Sequence, residues 1–277
     1  MGQASGIGLI SKDQEIVFYD IDRKKLNRLR EQGYNTSTDL PKVVKMSEIL
    51  MISVPTPTIQ GQMNLSFVLL VAQNVGKALE GVGEYKLVTL RSTVLPTTTR
   101  CRVIPTLMKY SKLQAGQDFG VCFNPEFLTE KNALNDFLKP NRVIIGEFDK
   151  KSGDLLQKIY EKFKTKIIRT DLDTAEMIKY ASNLFLATKI SYFNEIYLIC
   201  QKLGLDANIV SKAVALDPRI GAYGVHGGRP FGGKCLPKDL AAFTNFVKTL
   251  NLNPKLLDAI SLINEEIQLH YKKKSMS

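Results

Sequence analysis

The run Ile49 to Val54 is continuously apolar and is stopped by Pro55-Thr56-Pro57. Its length and lack of polar alternation suit a strand buried on both faces, the kind found in sheets covered on both sides. The segments around it meet that demand. Glu15 to Tyr19, Tyr85 to Leu90, Phe119 to Phe123, Arg142 to Ile145 and Lys166 to Ile168 read as further strands. Between them, Asp22 to Gln32, Leu65 to Leu79, Thr97 to Tyr110 and Leu155 to Phe163 have helical periodicity. Strands alternating with helices predict a parallel sheet with helices on both faces.

The pattern changes near residue 170. Asp171 to Lys202 reads as one long amphipathic helix without proline or glycine, with apolar positions at Ile178, Ala181, Leu184, Phe185 and Ile190. It is the candidate spine between two domains. Asp206 to Leu216 follows as a helix. A glycine-rich loop, Gly221 to Gly233, comes just after Arg219 and carries Arg229 and Phe231. Lys238 to Leu250 and Pro254 to Tyr271 read as two more helices. The expected domains are therefore 1–170, α/β, and 171–277, all helical. A chain of 277 residues is long enough for both cores.

Composition narrows the function classes. No apolar run approaches the ~18 residues of a membrane span, and no secretion signal opens the chain. The four cysteines, Cys101, Cys122, Cys200 and Cys235, lack metal-site spacing. Reduced thiols in a cytoplasmic protein are the expectation. His226 and His270 are too few for a histidine metal site or triad, so no metal is expected. The net charge of +11 suits anionic partners, among them dinucleotides and nucleotide sugars. No aromatic-interleaved basic stripe points to nucleic acid, and Lys272-Lys273-Lys274 reads as a solvated tail.

Two local features carry chemistry. Asp20 closes the Glu15–Tyr19 strand, where an acid commonly bonds a ribose hydroxyl of a dinucleotide; the other reading is a surface turn aspartate. The glycines before it, Gly2, Gly6 and Gly8, do not form G-x-G-x-x-G, and no strand precedes them. Their spacing resembles that of short-chain dehydrogenases, with Tyr160 and Lys164 as a Y-x-x-x-K, but the missing strand counts against it. Tyr160 and Lys164 are read as one face of a surface helix. The first strand and most of its glycine turn are expected to be missing.

The second feature is Gly232-Gly233-Lys234-Cys235-Leu236-Pro237-Lys238-Asp239. Pro237 suits a first helical position, so Cys235 lies at a helix N-terminus. There the dipole, the unpaired N–H groups and two flanking lysines favour a thiolate. Asp239 would share its face and could orient a water or accept a proton. A buried structural cysteine after a turn is the alternative. Lys179 and Asn183 share a helix face as well, either as a solvated pair or, since Asn183 sits among apolar residues, with a partner.

Eight separated motifs then occur in order: Ser53-Val54-Pro55-Thr56-Pro57, Ser92-Thr93-Val94, Asn124-Pro125-Glu126-Phe127-Leu128-Thr129-Glu130, Asn141-Arg142-Val143-Ile144-Ile145-Gly146, Lys179-Tyr180-Ala181-Ser182-Asn183, Phe193-Asn194-Glu195, Arg219-Ile220-Gly221 and the cysteine stretch. Together they resemble the UDP-glucose/GDP-mannose dehydrogenase family from about residue 15 to 270. The resemblance implies an incomplete Rossmann-type NAD-binding domain followed by a helical central dimerisation domain. It implies oxidation of a nucleotide sugar at C6, from alcohol to acid, with two NAD reduced. UDP-glucose is the favoured substrate and GDP-mannose the alternative.

By position, Cys235 would be the nucleophile, passing through a thiohemiacetal and a thioester. Lys179 and Asn183 would donate to the C6 oxygen, and Asp239, Glu130 and Thr93 would serve the base and water network. Asp20 and Lys25 would take the adenosine ribose. Val54, Pro55, Thr56, Thr93 and Lys238 would line the pyrophosphate and nicotinamide. Glu126, Phe127, Leu128, Phe231 and Gly232 would hold the sugar. Arg219 would reach the sugar of a second copy in a homodimer paired through the long helix. The chain departs from the family at both ends: the first strand with its G-x-G, and the domain that closes over the nucleotide, are expected to be missing. Without the glycine turn, NAD is expected to bind weakly. A fragment of a complete enzyme, a decayed copy and a dimeric binding remnant without turnover all fit these departures. A β-hydroxyacid-type dehydrogenase fits less well, because such enzymes use a lysine without the cysteine.

Overall fold

The computed structural model describes residues 1–276. In chain order its elements are α1 (Gly2–Ile10), β1 (Phe18–Tyr19), α2 (Arg23–Glu31), β2 (Thr36–Ser37), α3 (Leu40–Met46), β3 (Ile49–Ile52), β4 (Thr58–Ile59), β5 (Gln62–Met63), α4 (Ser66–Leu79), β6 (Lys86–Leu90), a π-helical turn (Thr99–Val103), α5 (Ile104–Ser111), β7 (Phe119–Phe123), α6 (Ala133–Leu138), β8 (Arg142–Glu147), α7 (Lys150–Tyr160), β9 (Lys166–Asp171), α8 (Leu172–Leu203), α9 (Ala207–Ala215), α10 (Leu236–Thr249) and α11 (Lys255–Met276). The side chains of Lys273 and Lys274, part of the lysine run read as a solvated tail, lie outside the described residues. No helix among the described residues is long and apolar enough to cross a membrane.

Aspartates start several of the helices, α8 included, where Asp171 accepts the Thr174 amide. Asp22, Asp39, Asp149 and Asp206 have extended backbone, and each accepts a first-turn amide of α2, α3, α7 and α9. The Asp149 cap starts α7 at Lys150, earlier than the apolar periodicity beginning at Leu155 indicates. The segment 97–110 is not one α-helix. Pro105 has no N–H for the carbonyl four residues back, and a π-turn precedes α5 there.

The chain divides into two compact units, Met1–Thr56 with Asn64–Lys179, and Pro57–Met63 with Tyr180–Ser277. The first holds a five-stranded sheet in the order β3-β6-β7-β8-β9. Three of its junctions are parallel, but β7 and β8 pair antiparallel through Cys122↔Glu147 and Phe123↔Gly146. The sheet is thus mixed rather than wholly parallel. A strand buried along its whole length carries no mark of direction, so its sequence leaves this choice open. The connection from β7 to β8 holds only the short α6, whose Phe137 packs against Gly8 of α1. β1 and β2 form a separate parallel pair.

Every residue of β6 and β7 is buried. A core of Leu9, Leu87, Cys122, Val143, Ile145 and Leu156 surrounds the rings of Phe137, Tyr160 and Phe163. Tyr160 is therefore no surface residue: its ring fills the core and its hydroxyl donates to Asn124 Oδ1 at 2.6 Å. Lys164 lies exposed beyond the end of α7, so the two do not form one helix face. The early glycines have a packing role. A Cβ on Gly6 would sit 2.3 Å from the Phe18 ring, and one on Gly8 2.2 Å from the Phe137 ring. They allow α1 to approach its neighbours closely.

The second unit consists of α8 from Tyr180, α9, α10, α11 and the β4–β5 hairpin. Gln60 and Gly61 turn the hairpin with φ of +50° and +75°, the left-handed pair a two-residue turn of this hand requires. Thr58 Oγ1 donates to the Lys238 carbonyl at 3.0 Å, tying the hairpin to α10. Tyr180 of α8 stacks on Phe243 of α10 with ring centres 5.0 Å apart.

Gly8→Val should lower stability by about 1–3 kcal/mol, because the added methyl groups must displace the buried Phe137 ring. Urea unfolding would show a lower midpoint with an unchanged slope; an unchanged midpoint would contradict the packing role.

Candidate active site

In the first unit, the loops after the adjacent parallel strands β3 and β6 are stitched together. Val54 N donates to Ser92 Oγ at 2.9 Å, and Ser92 Oγ donates back to Val54 O at 2.7 Å. Thr56 Oγ1 donates to the Thr93 carbonyl at 2.8 Å. Val54, Pro55, Thr56 and Thr93 thus stand together at the carboxyl edge of the sheet, where ligands of open α/β sheets bind. The first residue of α1 reaches the same edge: a Cβ on Gly2 would lie 3.0 Å from Ser53 Cβ. Among the described residues no side chain caps α1, and a helix end of this kind suits an anion. Asp20 follows β1; its Oδ1 accepts from Asp22 N at 2.9 Å and its Oδ2 from Lys25 Nζ at 3.4 Å.

The loop after β7 is anchored from beneath. Arg91, buried, donates to Asn124 Oδ1, to Tyr160 Oη at 2.8 Å and to Ser5 Oγ at 3.3 Å. Asn124 Nδ2 donates to Ile144 O at 2.7 Å. Above this network runs Glu126, whose Oε2 accepts Leu128 N at 2.7 Å. Lys179 of α8 is 4% exposed; its ammonium donates to the Glu126 carbonyl and lies 3.8 Å from Glu126 Oε1. The Phe127 ring faces the Arg142 guanidinium at 4.1 Å and the Lys179 ammonium at 5.1 Å. A cleft of ≈ 210 Å³ opens here between Arg91, Asn124, Phe127, Lys139, Arg142 and Tyr160. Leu128 packs on the core. Glu130 is exposed on the loop leading to α6.

In the second unit, Cys235 is the N-cap of α10, with φ −105° and ψ −66°, and is half-buried. Leu236 takes the first helical position and Pro237 the second, one place later than the sequence suggested. The Cys235 carbonyl accepts the Asp239 amide at 2.9 Å, the first bond of the helix. Asp239 is 1% exposed. Its Oδ2 accepts from Asn183 Nδ2 at 2.7 Å and its Oδ1 from Lys238 Nζ at 2.5 Å. Asn183 therefore has its partner. Both Asp239 oxygens and the Lys238 ammonium are engaged in these bonds. Just upstream, Phe231 is buried, while Gly232 and Gly233 border open space. Arg219 stands apart, exposed and forked onto Asp217 at 2.6 Å.

Residues 23–164 match the UDP-glucose/GDP-mannose dehydrogenase family, NAD binding domain, and residues 173–266 match that family's central domain. The chain belongs to the UDP-glucose/GDP-mannose dehydrogenase family. Members of this family are oxidoreductases, and residues 23–164 constitute its NAD-binding domain. GDP-mannose 6-dehydrogenase of Pseudomonas putida is 38% identical over 249 residues, which cover 86% of this chain and 57% of that protein. UDP-glucose 6-dehydrogenase TuaD of Bacillus subtilis is 34% identical over 291 residues, covering 98% of this chain and 62% of that protein. The solved UDP-glucose dehydrogenase of the archaeon Pyrobaculum islandicum superposes with a TM-score of 0.89 at 33% identity, over 95% of this chain and 65% of that one. The chain thus spans 57% to 65% of the length of these relatives.

Within the family framework, sequence reasoning passed over Glu176. It lies on α8 one turn before Lys179, wholly buried. Its Oε1 accepts both the amide and the hydroxyl of Thr99, at 2.8 and 2.5 Å. Its Oε2 is buried without a hydrogen-bond partner. Burial pushes its carboxyl up to about 7, against the lowering effect of the Thr99 bonds, and the Asp173 charge adds to the rise. The available signal was its spacing: Glu176 lies seven residues before Asn183, on the helix face that turns inward.

The raised value has a definite sign. From its ordinary 4.5 up to about 7, folded Glu176 holds a proton that the unfolded chain has released. Its contribution to stability is present below that window and is lost as pH rises through it, by an amount on the order of 3 kcal/mol. Glu176→Gln should remove that loss, so that thermal melts of variant and parent diverge between pH 5 and 8. Parallel pH profiles would contradict the assignment.

Proposed function

We propose that this chain oxidises the C6 hydroxyl of a nucleotide sugar, UDP-glucose or GDP-mannose, to the carboxylate, through a covalent intermediate on Cys235. The observation that carries the reading is a cysteine at the N-terminus of α10. That position favours a thiolate, the protein nucleophile best suited to capture an aldehyde at neutral pH.

NAD, when bound, accepts a hydride in each of two oxidations. The cofactor reading rests on the uncapped N-terminus of α1 at the sheet's carboxyl edge, which suits a pyrophosphate, and on Asp20 with Lys25 for the ribose. Val54, Pro55, Thr56 and Lys238 complete that side. Glu126, Phe127, Leu128, Phe231 and Gly232 hold the sugar.

In the first oxidation the C6 alcohol becomes an aldehyde, and its hydroxyl proton passes to a base. The Cys235 sulfur adds to the aldehyde carbon and gives a thiohemiacetal, whose oxidation leaves a thioester. Water then cleaves the C–S bond, releasing the acid and the thiol. Lys179 and Asn183 donate to the C6 oxygen, where negative charge develops in both additions. Glu130 and Thr93 serve the base and the hydrolytic water. Asp239 acts by orienting Asn183 and Lys238, to which its oxygens are bonded.

A homodimer is part of the proposal. Phe185, Tyr192 and Ile199 are exposed on α8 at seven-residue spacing, with Leu203 continuing the stripe. A second copy of α8 suits such a seam, and Arg219 would act on the sugar of that copy. The cytoplasm is the proposed compartment: none of the four cysteines is in a disulfide. A second reading, a dimeric binding chain without turnover, draws on the exposed apolar stripe of α8, which suits pairing whether or not the site turns over.

The test incubates the chain with NAD and each nucleotide sugar. Two NADH per sugar should form, with one sugar preferred, and Cys235→Ala should reduce the rate at least a hundredfold. An unchanged rate in Cys235→Ala would refute the mechanism. Dimerisation without NADH formation would favour the second reading.

A further inference from the structure

The loop from Leu216 to Cys235 contains Gly221, Gly224, Gly227, Gly228, Gly232 and Gly233 and has no regular secondary structure. Ordering so many glycines is entropically costly, yet the loop is fixed by side chains that imitate a neighbouring strand. Asn194 of α8 is 0% exposed; its Oδ1 accepts the Gly228 amide at 2.9 Å and its Nδ2 donates to the Arg229 carbonyl at 2.9 Å. Asn264 of α11 repeats the device on one residue: its Oδ1 accepts the Phe231 amide at 2.8 Å and its Nδ2 donates to the Phe231 carbonyl at 3.2 Å. Each amide thus satisfies a donor and an acceptor of the loop backbone at once, as a strand partner does.

Close packing completes the clamp. A Cβ on Gly227 would lie 2.4 Å from the Phe193 carbonyl, so the loop backbone lies directly on α8. Between the Asn264 clamp and Cys235 stand only Gly232, Gly233 and Lys234. Gly233 has φ +75° and nothing near its missing Cβ, so this link restrains itself little. The direction from which the chain enters α10 is therefore set upstream, at Phe231.

We propose that Asn194 and Asn264 are positioning residues for the Cys235 thiol. They hold the loop backbone so that the sulfur stays at the N-terminal turn of α10. The proposal rests on the reading of Cys235 as the nucleophile.

The experiment is alkylation of Cys235 by iodoacetamide as a function of pH, read by peptide mass spectrometry. It uses the full chain carrying Cys101→Ser, since Cys101 is the exposed thiol. The thiolate is the reactive form, and its stabilisation depends on its place at the helix end. Asn264→Ala and Asn194→Ala should each raise the pH of half-maximal alkylation by about one unit. Ile260→Val thins the core beneath α11, where Ile260 is 2% exposed, and removes none of the asparagine bonds to the loop. It should lower the melting temperature and leave the midpoint in place. Where turnover is measured, both asparagine variants should lower kcat about tenfold with KM for the nucleotide sugar within about twofold.

A folded Asn264→Ala chain with an unshifted midpoint would overturn the proposal, as would an equal shift in Ile260→Val. Alkylation needs no turnover, so these results are independent of the reading of Cys235 as nucleophile, which fails separately if Cys235→Ala retains its rate.

Discussion

The buried carboxylate of Asp239 holds the start of α10 in register with α8. A charge with 1% exposure persists in a protein only when its oxygens are bonded. Here Asn183 and Lys238 provide the two bonds. The first joins α8 to α10, elements whose bonded residues lie 56 positions apart in the chain. The second stays within the first turn of α10, beside the Cys235 cap. Breaking either bond would leave a donor or a charge stranded in the interior. This is why the start of α10, and the cysteine on it, have a fixed place on α8.

The first unit solves a comparable problem with neutral groups. Arg91 is buried among the oxygens of Asn124, Tyr160 and Ser5, so the guanidinium is spread over three hydrogen bonds. That network lies at the carboxyl ends of β6 and β7 and carries the loop in which Glu126 meets Lys179. The stitched loops after β3 and β6 continue the same edge. Rigid strand ends thus present short loops, an arrangement that concentrates binding residues without burying unsatisfied backbone.

Much of this was legible in the sequence because it is local. The strands β3 and β7 are apolar runs of strand length, and the helices read from Asp22 and Asp206 match α2 and α9, which those aspartates cap. The ordered motifs singled out Cys235, Lys179 and Asn183 as candidates without knowledge of their surroundings. What could not be read is pairing at a distance. Strand direction at β7–β8 depends on where the connection packs. Tyr160 looks like a surface residue because its partners, Asn124 and Arg91, are far away in sequence. Neither the ion pair of Lys238 with Asp239 nor the Asn183 bond has a sequence signal. Gly6 and Gly8 were weighed against turn motifs, whereas their use is the contact of a helix with two aromatic rings.

The decisive measurement is a double-mutant cycle on the α8–α10 tie, with Asn183→Ala, Asp239→Ala and the double variant compared by chemical denaturation. A bonded buried pair should show a coupling energy of about 1–3 kcal/mol. Effects that add to within about 0.5 kcal/mol would mean that Asp239 does not hold α8, and the fixed position assigned to Cys235 would lose its basis.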